Sequence, residues 1–102
     1  LERAATRLAF GAYAVSGQSC ISVQRIMAHR LRYAELRDRL VGLVNGLRAG
    51  DPMLQDTDVG PMIREREAQR VEQWIGGAVA RGAKVLAGGA RTGAVLRPTL
   101  IE

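Results

Sequence analysis

Tyr13-Ala14-Val15-Ser16-Gly17-Gln18-Ser19-Cys20-Ile21-Ser22-Val23-Gln24-Arg25 is the junction from which the fold is read. Before it, Leu1, Ala4, Ala5, Leu8, Ala12 and Val15 recur at the spacing of one helix face, while Glu2, Arg3 and Arg7 lie off that face. The period stops at Ser16-Gly17, because glycine takes backbone angles that end a helix, and Ser16 to Cys20 becomes a tight connection. After it, Ile21, Val23, Ile26, Met27 and Ala28 form a short run rich in β-branched residues, which predicts a strand buried largely on both faces.

Working outward, Leu36, Leu40, Leu43, Val44 and Leu47 return to helical spacing, with Arg32, Glu35, Asp38 and Arg39 outside the stripe and Gly50 as a stop. From Gly50 to Ile63 the residues favour turns, notably Asp51-Pro52, Asp56 to Asp58 and Gly60-Pro61. Connections beyond ~12 residues are uncommon in compact domains unless they carry function or lie against another part of the molecule. A third helix is predicted over about 64–81, its stripe made by Val71, Trp74, Ile75, Ala78 and Val79, with Gly82 where a C-terminal cap belongs. Lys84 to Ala87 reads as a strand, Gly88-Gly89 as a hairpin turn or bulge, and Val95 to Ile101 as a second extended segment in which Pro98 restricts pairing. Helices alternating with short apolar strands point to α/β architecture, helices packed on a mainly parallel sheet, with so few strands that the sheet is incomplete.

The chain has 102 residues, 47% of them hydrophobic, which is enough for one small domain or part of one and argues against disorder. No apolar run approaches the ~20 residues needed to span a bilayer, so a soluble chain without a membrane partner is expected. The chain opens at Leu1 without a signal layout, and the start reads as cut. One cysteine can form neither an internal disulfide nor a thiolate metal cage, which removes a metal site and suits a reducing, cytoplasmic setting. The net charge of +5 raises a nucleic-acid reading, but the arginines alternate with acids, as in Arg37-Asp38-Arg39 and Arg64-Glu65-Arg66-Glu67, and aromatic residues are only 4%. That is the pattern of solvated helix faces, not of a basic, aromatic-lined groove.

Cysteine chemistry requires the thiolate, favoured where a partly exposed thiol lies near backbone N–H groups or a positive charge. Cys20, after Gly17-Gln18-Ser19 at a chain reversal, has access to such donors. By spacing alone it reads more readily as a small buried apolar residue than as a nucleophile. His29 is weighed as a base for Cys20 in a cysteine hydrolase and reads better as a solvated side chain among Arg25, Arg30 and Arg32. Gln18 has an amide that cannot act as a base at neutral pH, so it is assigned to shaping the turn. Gly88-Gly89 lacks the lysine and hydroxyl spacing of a phosphate loop.

Tyr13, Gly17-Gln18-Ser19-Cys20-Ile21-Ser22 and Arg25 resemble the segment around the nucleophile of aldehyde dehydrogenases. Gly50-Asp51-Pro52, Thr57 and Gly60-Pro61-Met62-Ile63 resemble the loop after that family's next helix, and Gly82 to Gly89 with Arg97-Pro98-Thr99-Leu100 resemble its Gly-Ala strand, Gly-Gly turn and Pro-Thr strand. Val15 departs from the pattern, since many members carry asparagine or another polar residue there. The resemblance covers nearly all of 1–102 as part of a catalytic domain: nucleophile segment 13–25, loop 50–63, strands about 84–101, and no dinucleotide-binding domain.

The resemblance implies an enzyme that oxidises an aldehyde to a carboxylic acid with NAD or NADP. Cys20 would attack the aldehyde, its own N–H would serve as one oxyanion donor, and the thioester formed after hydride transfer would be hydrolysed. The family's asparagine donor lies elsewhere, its glutamate base precedes this segment, and the glutamate on the nicotinamide ribose follows Glu102, so the segment alone is expected to be inactive. Gly17 and Gln18 would support the nucleophile motif, and Arg70, which reads at least as well as a solvated helix charge, would face the dinucleotide. The partners implied are the aldehyde, the remainder of the same polypeptide, and further copies in a homodimer or homotetramer. A relative that passes the thioester to CoA, and a non-enzymatic basic binding module, are the alternatives.

Overall fold

The structure, a computed structural model, describes residues 1–102. Helices α1 (Glu2–Tyr13), α2 (Arg30–Gly46) and α3 (Glu65–Ala80) are followed by strands β1 (Val85–Ala87), β2 (Arg91–Thr92), β3 (Val95–Leu96) and β4 (Leu100–Ile101). α1 and α2 meet through Ala5, Ala9, Leu36 and Leu40, with Leu8, Ile26, Ala28 and Leu100 packed around them. The two alanines let the helix backbones approach closely, which explains why the buried positions of α1 are small.

α2 starts at His29, whose extended backbone breaks the preceding segment and whose Nδ1 accepts the Leu31 N–H at 3.3 Å. His29 is thus a helix cap. α3 closes with a Schellman motif: the Gly82 N–H reaches the Val79 carbonyl and the Ala83 N–H the Ala78 carbonyl, each at 3.0 Å, with Gly82 at φ +106°. At the helix surfaces Arg32 and Arg39 pair with Glu35, and Arg66 and Arg70 with Glu67.

Two expectations are corrected. The strand expected over residues 21–28 is not formed; the Val23 N–H bonds the Gly11 carbonyl at 3.0 Å, and the segment runs back along α1 with Ile26 and Ala28 against the core. Its β-branched composition suits a strand, but a strand also needs an extended neighbour to pair with, and Val23 meets the end of a helix instead. The mainly parallel pairing is likewise not formed within these residues. β1 pairs with β4 and β2 with β3, both antiparallel, and the only parallel contact is the bridge between Ala49 and Val59. A parallel pair needs a crossover of a dozen or more residues, usually a helix; β2 and β3 are joined by Gly93-Ala94 alone, and the 88–99 connection between β1 and β4 is filled by that hairpin and not by a helix. The elements remain those of an incomplete α/β domain.

The ladder of β1 and β4 shifts register between Val85 and Ala87. Gly88 and Gly89 follow at φ +74° and +91°, so the Gly-Gly pair leaves a bulged strand and the hairpin turn is Gly93-Ala94. The loop over 50–63 is closed on itself: Arg48 O accepts from Asp58 and Val59 N–H at 2.8 and 3.0 Å, Gly50 N–H bonds Val59 O at 3.0 Å, and Asp58 accepts the Arg48 N–H. Val59 is its buried anchor. Only nine of the 102 residues are buried and no large side chain is fully enclosed, less than a self-standing domain of this size requires. No helix is long and apolar enough to cross a membrane.

Candidate active site

α1 ends by turning left-handed. Val15, Ser16 and Gly17 have φ of 53°, 55° and 70°, a run in which only the glycine is free of a steric cost. An L-residue in this region costs about 1–2 kcal/mol, and a β-branched side chain is among the least tolerant. Gly17 is required twice over, because a Cβ there would also stand 3.2 Å from the Ala12 carbonyl oxygen.

What holds the turn comes from far along the chain. The Ser16 hydroxyl donates to the Gly60 carbonyl at 2.7 Å, and the Gln18 Oε1 accepts the Ile63 N–H at 3.0 Å. Within the turn the Gln18 N–H bonds Val15 O, the Ser22 N–H bonds Ser19 O, and the Ser22 hydroxyl bonds Ala12 O at 2.9 Å. The Tyr13 hydroxyl donates to the Thr99 carbonyl at 2.8 Å, and burial pushes its pKa up to about 12. The segments 13–25, 50–63 and 97–100, far apart in sequence, therefore meet at one place.

Cys20 stands past this turn, exposed and free. The N–H groups of Ser19, Cys20 and Ile21 make no hydrogen bond within the chain, so three successive donors surround the sulfur-bearing residue. Such a run of unpaired N–H groups is a concentration of positive partial charge.

Gln18 and Arg70 line one shallow cleft of about 300 Å³, with Met62, Ile63, Arg64, Arg66 and Glu67; Cys20 does not line it. Arg70 is engaged on both sides, its Nε on Glu67 at 2.9 Å and its guanidinium carbon 4.4 Å from the Trp74 ring centroid. A larger, mostly apolar groove of about 750 Å³ runs between α2 and α3, lined among others by Ile26, Leu36, Leu40, Ile75 and Leu96. Ser16 was legible only as a helix breaker. A serine beside a Gly-Gln turn carries no sign of a carbonyl partner 44 residues away.

The aldehyde dehydrogenase family profile matches residues 1–102. The chain is 45% identical over 101 residues to the 3-sulfolactaldehyde dehydrogenase of Priestia aryabhattai, covering 99% of this chain and 21% of that protein. It superposes with a TM-score of 0.95 and 42% identity on aldehyde dehydrogenase 21 from Physcomitrella patens, solved with the reaction product succinate, over 99% of this chain and 21% of that one. A glyceraldehyde-3-phosphate dehydrogenase from Methanocaldococcus jannaschii, solved with NADP, matches at TM-score 0.92 and 33% identity, over 95% and 21% of the two chains. The chain thus spans about a fifth of the length of the relatives it matches. Similarity along the full span, in sequence and in fold, means that this chain belongs to the aldehyde dehydrogenase family.

Proposed function

We propose that this chain is the nucleophile-bearing segment of an enzyme that oxidises an aldehyde to a carboxylic acid with NAD or NADP, and that Cys20 is the nucleophile. The observation that carries the reading is the exposed Cys20 thiol after a left-handed turn, flanked by three unpaired backbone N–H groups. The Cys20 thiolate, its proton already given up, donates an electron pair to the aldehyde carbon; a C–S bond forms and the carbonyl π bond opens to an oxyanion. The Cys20 N–H is a free donor for that oxyanion, and one such donor is worth on the order of 3 kcal/mol in the transition state. NAD or NADP, when bound, supplies the acceptor for the hydride that leaves the same carbon. The acyl group then remains on Cys20 as a thioester, and its hydrolysis draws on a base that family resemblance assigns to residues preceding this segment.

The cleft beside Gln18 has a donor set that suits an anionic cofactor: Arg64, Arg66 and Arg70 against the single carboxylate of Glu67. Arg70, held by Glu67 and Trp74, is the residue proposed to face the dinucleotide. The apolar groove between α2 and α3 is proposed to receive the remainder of the same polypeptide, since Trp74 is 64% exposed and Met27 97% exposed without it.

The test is Cys20→Ser in the complete enzyme. Serine is nearly isosteric but barely ionised near neutral pH, so kcat should fall by well over a hundredfold while cofactor binding and Tm persist. A kcat within about tenfold of the parent, only ~1.4 kcal/mol of barrier, removes Cys20 from the mechanism. Product formation that depends on added CoA instead of water identifies the acylating variant of the chemistry.

A further inference from the structure

We propose that Ser16 is a positioning residue for Cys20, its hydroxyl clamping the left-handed turn to the 60–63 loop and so fixing where the thiol stands. The inference rests on Cys20 being the nucleophile and goes beyond it in naming what holds the nucleophile in place. Two non-glycine residues in succession, Val15 and Ser16, adopt the left-handed region immediately before Gly17. Such backbone persists only where its surroundings over-determine it. Val15 is 74% exposed and contributes no packing that would hold it, so the restraint must come from its neighbours.

Ser16 supplies the shortest of these restraints. Its Oγ is 2.7 Å from the Gly60 carbonyl in a partly buried contact, with the Pro61 carbonyl as a second acceptor at 3.4 Å. Gln18 catches the same loop at Ile63, but in an exposed contact where water competes. The loop is itself anchored away from the turn. Gly60 follows buried Val59, which bridges to Ala49, and the Met62 N–H bonds the Ala94 carbonyl at 2.8 Å. Ala94 belongs to the β2–β3 hairpin, which Arg91 ties to α3 through Glu72 at 2.8 Å and Glu65 at 3.4 Å. Ser16 therefore joins a strained turn to a braced loop, while its hydroxyl points into the loop and not toward a reacting atom. Loss of that bond frees the turn to relax toward ordinary backbone angles, and a displacement of the nucleophile by about 1 Å is enough to cost up to a hundredfold in rate.

The experiment compares Ser16→Ala and Ser16→Gly with the parent in the complete enzyme, measuring kcat, aldehyde KM, Tm and the rate of Cys20 alkylation by iodoacetamide. Alanine removes the hydroxyl and keeps the left-handed cost; glycine removes both, so it remains folded even where alanine is not tolerated. In both variants kcat should fall about tenfold or more with aldehyde KM within about twofold, and the alkylation rate should change while Tm in the glycine variant stays near the parent. A kcat within about twofold of the parent in both variants, beside an inactive Cys20→Ser, overturns the positioning role alone. A lowered Tm with unchanged kcat and unchanged alkylation also overturns it, since the bond is then structural. An active Cys20→Ser instead removes the nucleophile reading on which the proposal stands.

Discussion

The Gln18 side chain accepts the Ile63 N–H at 3.0 Å, joining two residues 45 apart in sequence. Gln18 is thereby both a neighbour of Cys20 and a wall of the cleft that holds Arg70. This amide ties the turn before Cys20 to the residues that lead into α3. Ile63 itself is exposed, so its side chain adds little to this connection.

Removing that acceptor should loosen the loop more than it harms the turn. Gln18→Ala is expected to lower stability by about 1 kcal/mol, the net worth of an accessible hydrogen bond. Gln18→Glu keeps an acceptor for the Ile63 N–H and should recover most of the loss. Thermal melts of the two variants check this; equal losses in both would show that the Ile63 bond is not what Gln18 contributes.

Val15 adopts φ 53° with its side chain 74% exposed, so replacing it forfeits little packing. Val15→Asn, a residue that tolerates the left-handed region, should raise stability by about 1 kcal/mol. Val15→Gly should gain less, because glycine also widens the unfolded ensemble. A Tm that falls for asparagine would show that the turn carries no such cost.

Gly88 lies at φ +74°, and a Cβ there would stand 2.8 Å from the Pro98 carbonyl carbon and 2.9 Å from the Thr99 Cα. Backbone atoms cannot swing aside as a side chain does, so Gly88→Ala should cost roughly 3 kcal/mol from strain plus overpacking. Gly76, within α3, has open space around its Cβ position, and Gly76→Ala should instead stabilise by about 0.5–1 kcal/mol. Denaturant midpoints that move in the same direction for both would contradict this account.

Tyr13 gives an alkaline signature. Burial raises its pKa from 10.0 to about 12, so as pH rises the unfolded chain loses this proton before the folded one does. The stability carried by neutral Tyr13 is therefore intact below pH 10 and declines between pH 10 and about 12. Tyr13→Phe should start less stable by about 1 kcal/mol, having lost the bond to Thr99, yet show a shallower decline over that window. Melting curves across the alkaline range decide it; parallel declines would mean that Tyr13 does not titrate as the fold implies.

The three helices were legible because their signals are local. The stripe through Ala5, Leu8 and Ala12, the spacing of Leu36, Leu40 and Val44, and Gly82 as a cap each act within one or two turns of the chain, and α3 ends where its glycine demanded. The order of the motif segments was legible for the same reason. Tertiary structure alone decided the rest. Residues 21–28 carry a strand's composition without a strand's partner, since pairing depends on which backbone lies alongside and not on the residues themselves. The antiparallel sense of β2 and β3 follows from the two-residue turn between them, and β1 and β4 close around that hairpin, where composition suggested a parallel sheet. Ser16 is the clearest case: next to Gly17 it reads as punctuation, and only the folded chain, by setting its hydroxyl 2.7 Å from Gly60, turns it into a restraint on the residues that lead to Cys20. A hydrogen bond's geometry is decided by three-dimensional proximity, which a sequence specifies only through the whole fold.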